Sequence, residues 1–330
     1  MSDERYNKLA EKIFMGDSKR IPEIFAAIAS PEEADVLLAC PGTAAEVSAA
    51  LGIDEAAAAE MLDTLFRKGL AFKKQKPDGT VFRMCRDLMQ FHDASILWPE
   101  APRAFLDLWQ QFMEEEWPAF SEMVEKMLPR PVTRVIPVSE SMDSKQQILA
   151  FEDVREMIDE ADVIAVTNCT CRLTAQKCDR PVEICMQLGK AGSYSIERGT
   201  GRPVDKDEAL ALLKKAEEAG LIHVTMNRAS ETHFICNCCN DCCMTFPMLI
   251  NKQLKMCDPS RYAARVDESL CDSCGECLER CYFGALSMED SSSGALIDAS
   301  SCMGCGLCQV VCPTGAIVLE QVRETDFIPT

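Results

Sequence analysis

The strongest constraint on this chain is a repeated run of cysteines near its C-terminus. Cys271-x2-Cys274-x2-Cys277-x3-Cys281 is answered 31 residues later by Cys302-x2-Cys305-x2-Cys308-x3-Cys312-Pro313. Gly284-Ala285-Leu286 matches Gly315-Ala316-Ile317 at the same offset, so the repeat covers fold as well as ligands. Three cysteines this close on one loop hold three corners of a cubane and leave the fourth to come from elsewhere. In chains with two such runs, the fourth cysteine of each ligates the other cluster. One 4Fe-4S cluster is therefore assigned to Cys271, Cys274, Cys277 and Cys312, the other to Cys302, Cys305, Cys308 and Cys281. Structural zinc is also held by four cysteines, but the symmetric register of all eight favours paired cubanes. Gly275, Gly304 and Gly306 let backbone N–H groups approach the sulfides, a lever on potential.

These motifs resemble the bacterial-type dicluster ferredoxin family, with one departure. Tyr282 stands where that family usually has proline after the first run, which leaves ligation intact and alters packing beside the cluster. The resemblance implies electron transfer.

Nine further cysteines lie upstream: Cys169, Cys171, Cys178 and Cys185 in one group, Cys236, Cys238, Cys239, Cys242 and Cys243 in another. Thiolates packed this densely repel one another unless a cation neutralises them, so metal is favoured over free thiols, and cluster over zinc given the repeat downstream. The first group supplies four ligands for one cubane, and the second supplies five, one more than a cubane needs. One or two additional 4Fe-4S clusters are expected here. Spacing does not say which cysteine is spare or whether the groups share ligands. Arg172 is suited to a hydrogen bond on a sulfide, to an acidic partner, or simply to the surface. The segments Asn168-Cys-Thr-Cys-Arg172, Cys178-Asp-Arg-Pro181, Ile196-Glu-Arg-Gly199 and Phe234-Ile-Cys-Asn-Cys-Cys-Asn-Asp-Cys-Cys243 resemble a family of anaerobe iron–sulfur proteins described as 4Fe-4S dicluster-containing. That resemblance spans most of the chain and implies electron transfer without naming a reaction.

Cys40, Cys85 and Cys257 are isolated and read as buried packing. His92, His223 and His233 read as core or surface histidines, with His233 the nearest to a cysteine motif. Gly199-Thr-Gly201 is too short for a dinucleotide fingerprint, and no catalytic triad or phosphate loop stands out.

Twenty cysteines in 330 residues raise the question of redox compartment. The charged opening Met1-Ser2-Asp3-Glu4-Arg5 has no apolar core of a secretory signal, and no run of apolar residues is long enough to span a bilayer. The reading is a soluble cytoplasmic protein, where metal rather than disulfide claims clustered thiols. A net charge of −19 repels phosphate backbones and suits a redox partner with a basic docking surface. Nothing in the sequence fixes the oligomeric state.

The fold class expected is a multidomain α+β or α/β chain. Residues 1–95 read as a winged-helix-like domain: Thr43 opens a helix through Leu51, Asp54 caps a second, and a hairpin turns at Pro77-Asp78-Gly79. Residues 96–131 form a helical connector, with a helix over 100–128 interrupted at Pro118. Residues 132–258 read as an α/β cysteine-rich domain with strands at Val132–Val138, Val163–Thr167, Leu221–Thr225 and His233–Ile235 and helices at Phe151–Glu160 and Asp207–Ala219. Residues 259–330 hold the ferredoxin repeat.

The leading function is a soluble electron-transfer protein passing low-potential electrons to or from a partner in anaerobic metabolism. One alternative is a reductase with a catalytic iron–sulfur cluster among Cys236–Cys243. The other is a redox-responsive regulator using the winged-helix outline. Against it, residues 1–95 carry 16 acidic and 12 basic side chains, and the recognition helix has Asp54, Glu55, Glu60 and Asp63 against Arg67 and Lys68. Lys73, Lys74 and Lys76 on the hairpin keep that reading open.

Overall fold

The computed structural model describes residues 3–138, 154–229, 232–289 and 294–330. These form two compact units: residues 1–119 with short pieces at 173–175 and 197–200, and the remainder through Thr330. The division does not follow the four segments drawn from sequence. The central and C-terminal segments share one unit because Val135, Val224 and Cys243 of the former pack in one apolar cluster with Met303 and Leu307 of the latter. No described helix is long and apolar enough to cross a membrane.

In the first unit, local sequence sets the element ends. Thr43 and Glu46 form a reciprocal capping box for helix Ala44–Leu51, and Gly52 ends that helix at a φ of 68°. Asp54 caps helix Glu55–Arg67, which buries Ala58, Leu62, Leu65 and Phe66 at helical spacing. Strands β1 (Ala71–Lys76) and β2 (Gly79–Met84) then pair antiparallel, and Phe82 bridges back to Gly42. The helix expected over 100–128 divides at Glu116 into Arg103–Glu115 and Trp117–Met127. Pro118 sits in the first turn of the second helix, where its missing N–H has no helical acceptor to lose. Along the first of these helices Phe105, Trp109 and Phe112 are fully buried, and Leu108 and Met113 half-buried.

The second unit is built on six strands: β3 (Thr133–Ile136), β4 (Ile164–Asn168), β5 (Glu183–Leu188), β6 (Gly201–Pro203), β7 (Ile222–Met226) and β8 (Phe234–Cys238). Their order is β3-β7-β8-β5-β4-β6, and each of these pairings is antiparallel. The alternation of helix and strand in the sequence thus gives an α+β sheet rather than a parallel one. The short link between β7 and β8 returns the chain beside itself, which only an antiparallel pair allows. Helix Lys206–Glu218 forms as expected, within one residue at each end. Helix Val154–Glu160 is the described part of the other, and residues 151–153 lie outside the described residues.

Strand alternation separates the two faces of this sheet. Ile136, Ile164, Met186, Leu188 and Ile235 pack on Val154, Met157 and Ile158 of one helix and Ala209 and Leu213 of the other. The opposite face presents Val135, Ile222, Val224, Cys236 and Cys238. Register fixes this arrangement: Cys238 lies opposite Ile222 and Cys236 opposite Val224.

The C-terminal repeat follows, framed by β9 (Tyr262–Val266) paired with a later strand and by the short pair β10 (Leu286–Ser287) and β11 (Leu296–Ile297). Strand β12 (Ile317–Gln321) closes it antiparallel to β9. Each half carries a short helix, Glu276–Arg280 and Leu307–Val310, entered through Gly275 at φ 80° and Gly306 at φ 81°.

Candidate metal centres

The C-terminal repeat gathers cysteines of each run with the fourth cysteine of the other. Cys277 has Cys274, Cys271 and Cys312 as its charged neighbours. Cys305 has Cys302 and Cys281, and Cys308 has Cys305, Cys302 and Cys281, with Cys277 of the other set beyond them. Cys281, Cys302, Cys305 and Cys308 line one small pocket. Backbone donors converge on the sulfurs. Glu276 N–H serves Cys274 and Leu307 N–H serves Cys305, at equivalent places just after the two left-handed glycines. Ala264 N–H reaches Cys302 Sγ at 3.4 Å. Four thiols per set with N–H donors aimed at them fit a 4Fe-4S cluster, whose sulfurs such hydrogen bonds stabilise. Burial, helped by the neighbouring Cys302 and Cys281 and opposed by the Leu307 N–H, pushes the Cys305 thiol up to about 12, so the set favours a cationic cluster core over bare thiolates.

The central cysteines are partitioned differently from their order in the chain. Cys169 follows β4, Cys185 lies in β5, Cys236 and Cys238 share one face of β8, Cys171 opens the helix Thr170–Ala175, and Cys243 lies in the turn after β8. Their thiols hydrogen-bond in a closed circuit: Cys171 with Cys169, Cys169 with Cys185, and Cys185 with Cys236. Cys236 then meets Cys238, Cys238 meets Cys243, and Cys243 returns to Cys171. Cys171 and Cys238 both donate to Cys243, which holds Cys243 well below the ordinary thiol range. Cys171, bonded to Cys169 and Cys243, is raised well above it. Thiols in such contact titrate as a set, and a cation at the centre would relieve the repulsion among their thiolates. Six donors exceed the four a tetrahedral ion accepts and suit a polynuclear cluster.

The remaining three, Cys178, Cys239 and Cys242, form a separate group with Asp241. Cys178 thus leaves the sequence neighbours Cys169, Cys171 and Cys185, and the five cysteines of the 236–243 segment are divided between the ring and this group. Asp241 was not singled out by sequence, although an acidic residue between two cysteine pairs is a ligand signal in itself. Arg180 Nη1 stands 3.1 and 3.3 Å from its two carboxylate oxygens. Against the cost of burial, the Cys239 thiol and Arg180 keep the Asp241 carboxyl below the usual range.

Arg172 lies between the ring and this group, 2% exposed. Both its terminal nitrogens donate to Asn237 O at 3.0 Å, and Nη1 approaches Cys239 Sγ at 3.6 Å. Burial opposes its charge, but the nearby Cys169 and Cys185 outweigh burial and raise its pKa. Arg172 is therefore no surface arginine, and its hydrogen-bond partners among the described residues are a carbonyl oxygen and a cysteine sulfur rather than a carboxylate. Tyr282 also acquires a role: its hydroxyl donates to Gly220 O at 3.0 Å and accepts from Arg180 Nη2 at 3.1 Å. The family's proline could do neither.

His223 is a satisfied core residue, bonded to Asn237 Oδ1 at 2.6 Å and to Glu217 Oε1 at 3.0 Å. His92 is buried beside Asp93, and His233 is exposed. Cys40 and Cys85 are buried in the first unit. Cys257 is less isolated than its sequence position suggests, packing in the cluster that holds Cys236, Cys238 and Cys243. In the first unit, Arg67 pairs with Asp63 at 3.0 Å, Lys68 with Glu33 at 2.8 Å and Lys73 with Glu197 at 2.7 Å. Cations already paired have less to offer a phosphate backbone.

A comparison of the whole chain with curated proteins finds no match. Residues 270–316, which contain both cysteine runs, match the family model of the 4Fe-4S dicluster domain and give the chain a C-terminal iron–sulfur electron-transfer module.

Proposed function

We propose that this chain is a cytoplasmic electron-transfer protein of anaerobic metabolism in which the two ferredoxin clusters continue into a third cluster at the six-thiol ring. The observation that carries this reading is the shared apolar cluster in which Cys305 packs with Cys236, Cys238 and Cys243. It supports the reading by bringing proposed donors of the ring and of the second ferredoxin cluster into one apolar environment. The line continues outward, because Cys308 of that set neighbours Cys277 of the first.

Bound at these cysteines, 4Fe-4S clusters supply one-electron chemistry, at potentials on the order of −400 mV with a wide range. The protein's part is to place and tune the donors. N–H groups on Cys274, Cys302 and Cys305 stabilise negative charge on sulfur, and the apolar cluster around the ring keeps water from it. The outer end meets solvent at Cys274, the one exposed cysteine. Around it Glu268, Asp272, Glu276 and Glu279 are exposed, and Leu270 is 51% exposed. An acidic rim with an apolar contact favours a partner with a basic docking face, whose encounter is steered by charge.

Anaerobic reductive titration of the full chain followed by EPR tests the reading. A third cluster signal is expected beside the ferredoxin pair, with Cys238→Ser removing that signal alone. The absence of any reducible cluster would sink it.

A further inference from the structure

The group made by Cys178, Cys239, Cys242 and Asp241 gathers its donors around one point. Its four ligand atoms all lie within 4.8 Å of one another. Cys178 Sγ is 3.7 Å from Cys242 Sγ and 4.0 Å from Cys239 Sγ. A tetrahedral ion with metal–sulfur bonds of about 2.3 Å sets its sulfurs roughly 3.8 Å apart. A cubane takes each thiolate on a different iron, so its donors stand farther apart than donors sharing one ion.

We infer that Cys178, Cys239, Cys242 and Asp241 bind a single zinc ion, distinct from the iron–sulfur line. Three thiolates exclude the hard cations calcium and magnesium, and four donors around one point are the closed tetrahedral set of structural zinc. The surroundings complete the site. Arg180 fixes the Asp241 carboxylate, Cys242 N–H donates to Asp241 Oδ1 at 2.9 Å, and Arg172 approaches Cys239 Sγ at 3.6 Å. Four anionic donors are then balanced by one dication and two guanidinium groups. The ion would tie Cys178 to a turn 61 to 64 residues later in the chain. It gives the loop after residue 176 a fixed place beside the ring without adding a redox centre.

The inference stands apart from the electron-transfer reading, because zinc and iron are counted separately in one sample. Full-length protein purified anaerobically should hold about one zinc per chain, with about three sulfur neighbours and one oxygen neighbour in zinc X-ray absorption. Cys178→Ser should lower zinc below about a tenth per chain and leave iron unchanged. Asp241→Asn, a milder change, should weaken zinc retention against a chelator by about tenfold or more. Wild-type protein without zinc, or a Cys178→Ser variant that loses about four irons and no zinc, would overturn the assignment. Should Cys178→Ser fail to fold, the wild-type absorption spectrum and Asp241→Asn still decide it. Loss of all iron with zinc retained would contradict the electron-transfer reading and leave this one standing.

Discussion

The C-terminal module and the central thiol field hold eight and nine cysteines, yet they assemble their donors in opposite ways. In the module, three of four donors for each cluster come from one short loop, and the repeat supplies the exchange of the fourth. In the central field, donors arrive from the end of β4, from β5, from β8 and from the turn beyond it. Antiparallel pairing, not loop spacing, brings them together. Sites of the first kind are preformed by local backbone, whereas sites of the second kind exist only once the sheet has formed.

The sharpest way to break the comparison is to remove one donor from each side. Cys238→Ser is expected to cost about four irons from the ring and leave the ferredoxin spectrum intact. Cys305→Ser should do the reverse, costing about four irons from the module while the ring keeps its own. Iron analysis with EPR on both variants checks this, and a shared loss in either would join the two regions into one folding unit.

The module's two halves allow a smaller test, because they solve one backbone position differently. Gly304 at φ 63° lies where an added Cβ would stand 2.1 Å from Tyr262 O and 2.3 Å from Ser260 Oγ. Gly304→Ala is expected to destabilise by about 3 kcal/mol, through overpacking on top of left-handed strain. Its counterpart Ser273 adopts φ 59° in the other half. There Ser273→Gly should stabilise by about 0.5 kcal/mol, the smallest effect considered, since relieved strain is partly offset by chain entropy. Anaerobic urea denaturation of the loaded protein orders the two.

Between these in size is the junction of the two regions. Tyr282→Phe removes the hydroxyl that joins Gly220 and Arg180 and should cost about 1 kcal/mol without changing iron content. A shift several times larger would mean that the bridge to Arg180 also holds the Asp241 group in place.

The same contrast explains what was legible in sequence. The dicluster domain could be read because its cysteine spacing is local, three of the four donors assigned to each cluster lying within one short run. Capping at Thr43 and Asp54 was legible for the same reason, since each cap acts within three residues. The central grouping was not: Cys169, Cys171, Cys178 and Cys185 are neighbours in the chain, but β5 carries Cys185 to Cys236 while Cys178 joins Cys239 and Cys242. Strand alternation offered one clue, as Cys236 and Cys238 must share a face of β8. The sheet order β7-β8-β5-β4, which decides the rest, leaves no mark in local pattern.

The central claim is that this chain carries a cluster beyond its ferredoxin pair. Iron and acid-labile sulfide, counted per full-length chain after anaerobic purification, test it most directly. About 12 of each is predicted, eight for the module and four or so at the ring, and a count of about eight would contradict the account.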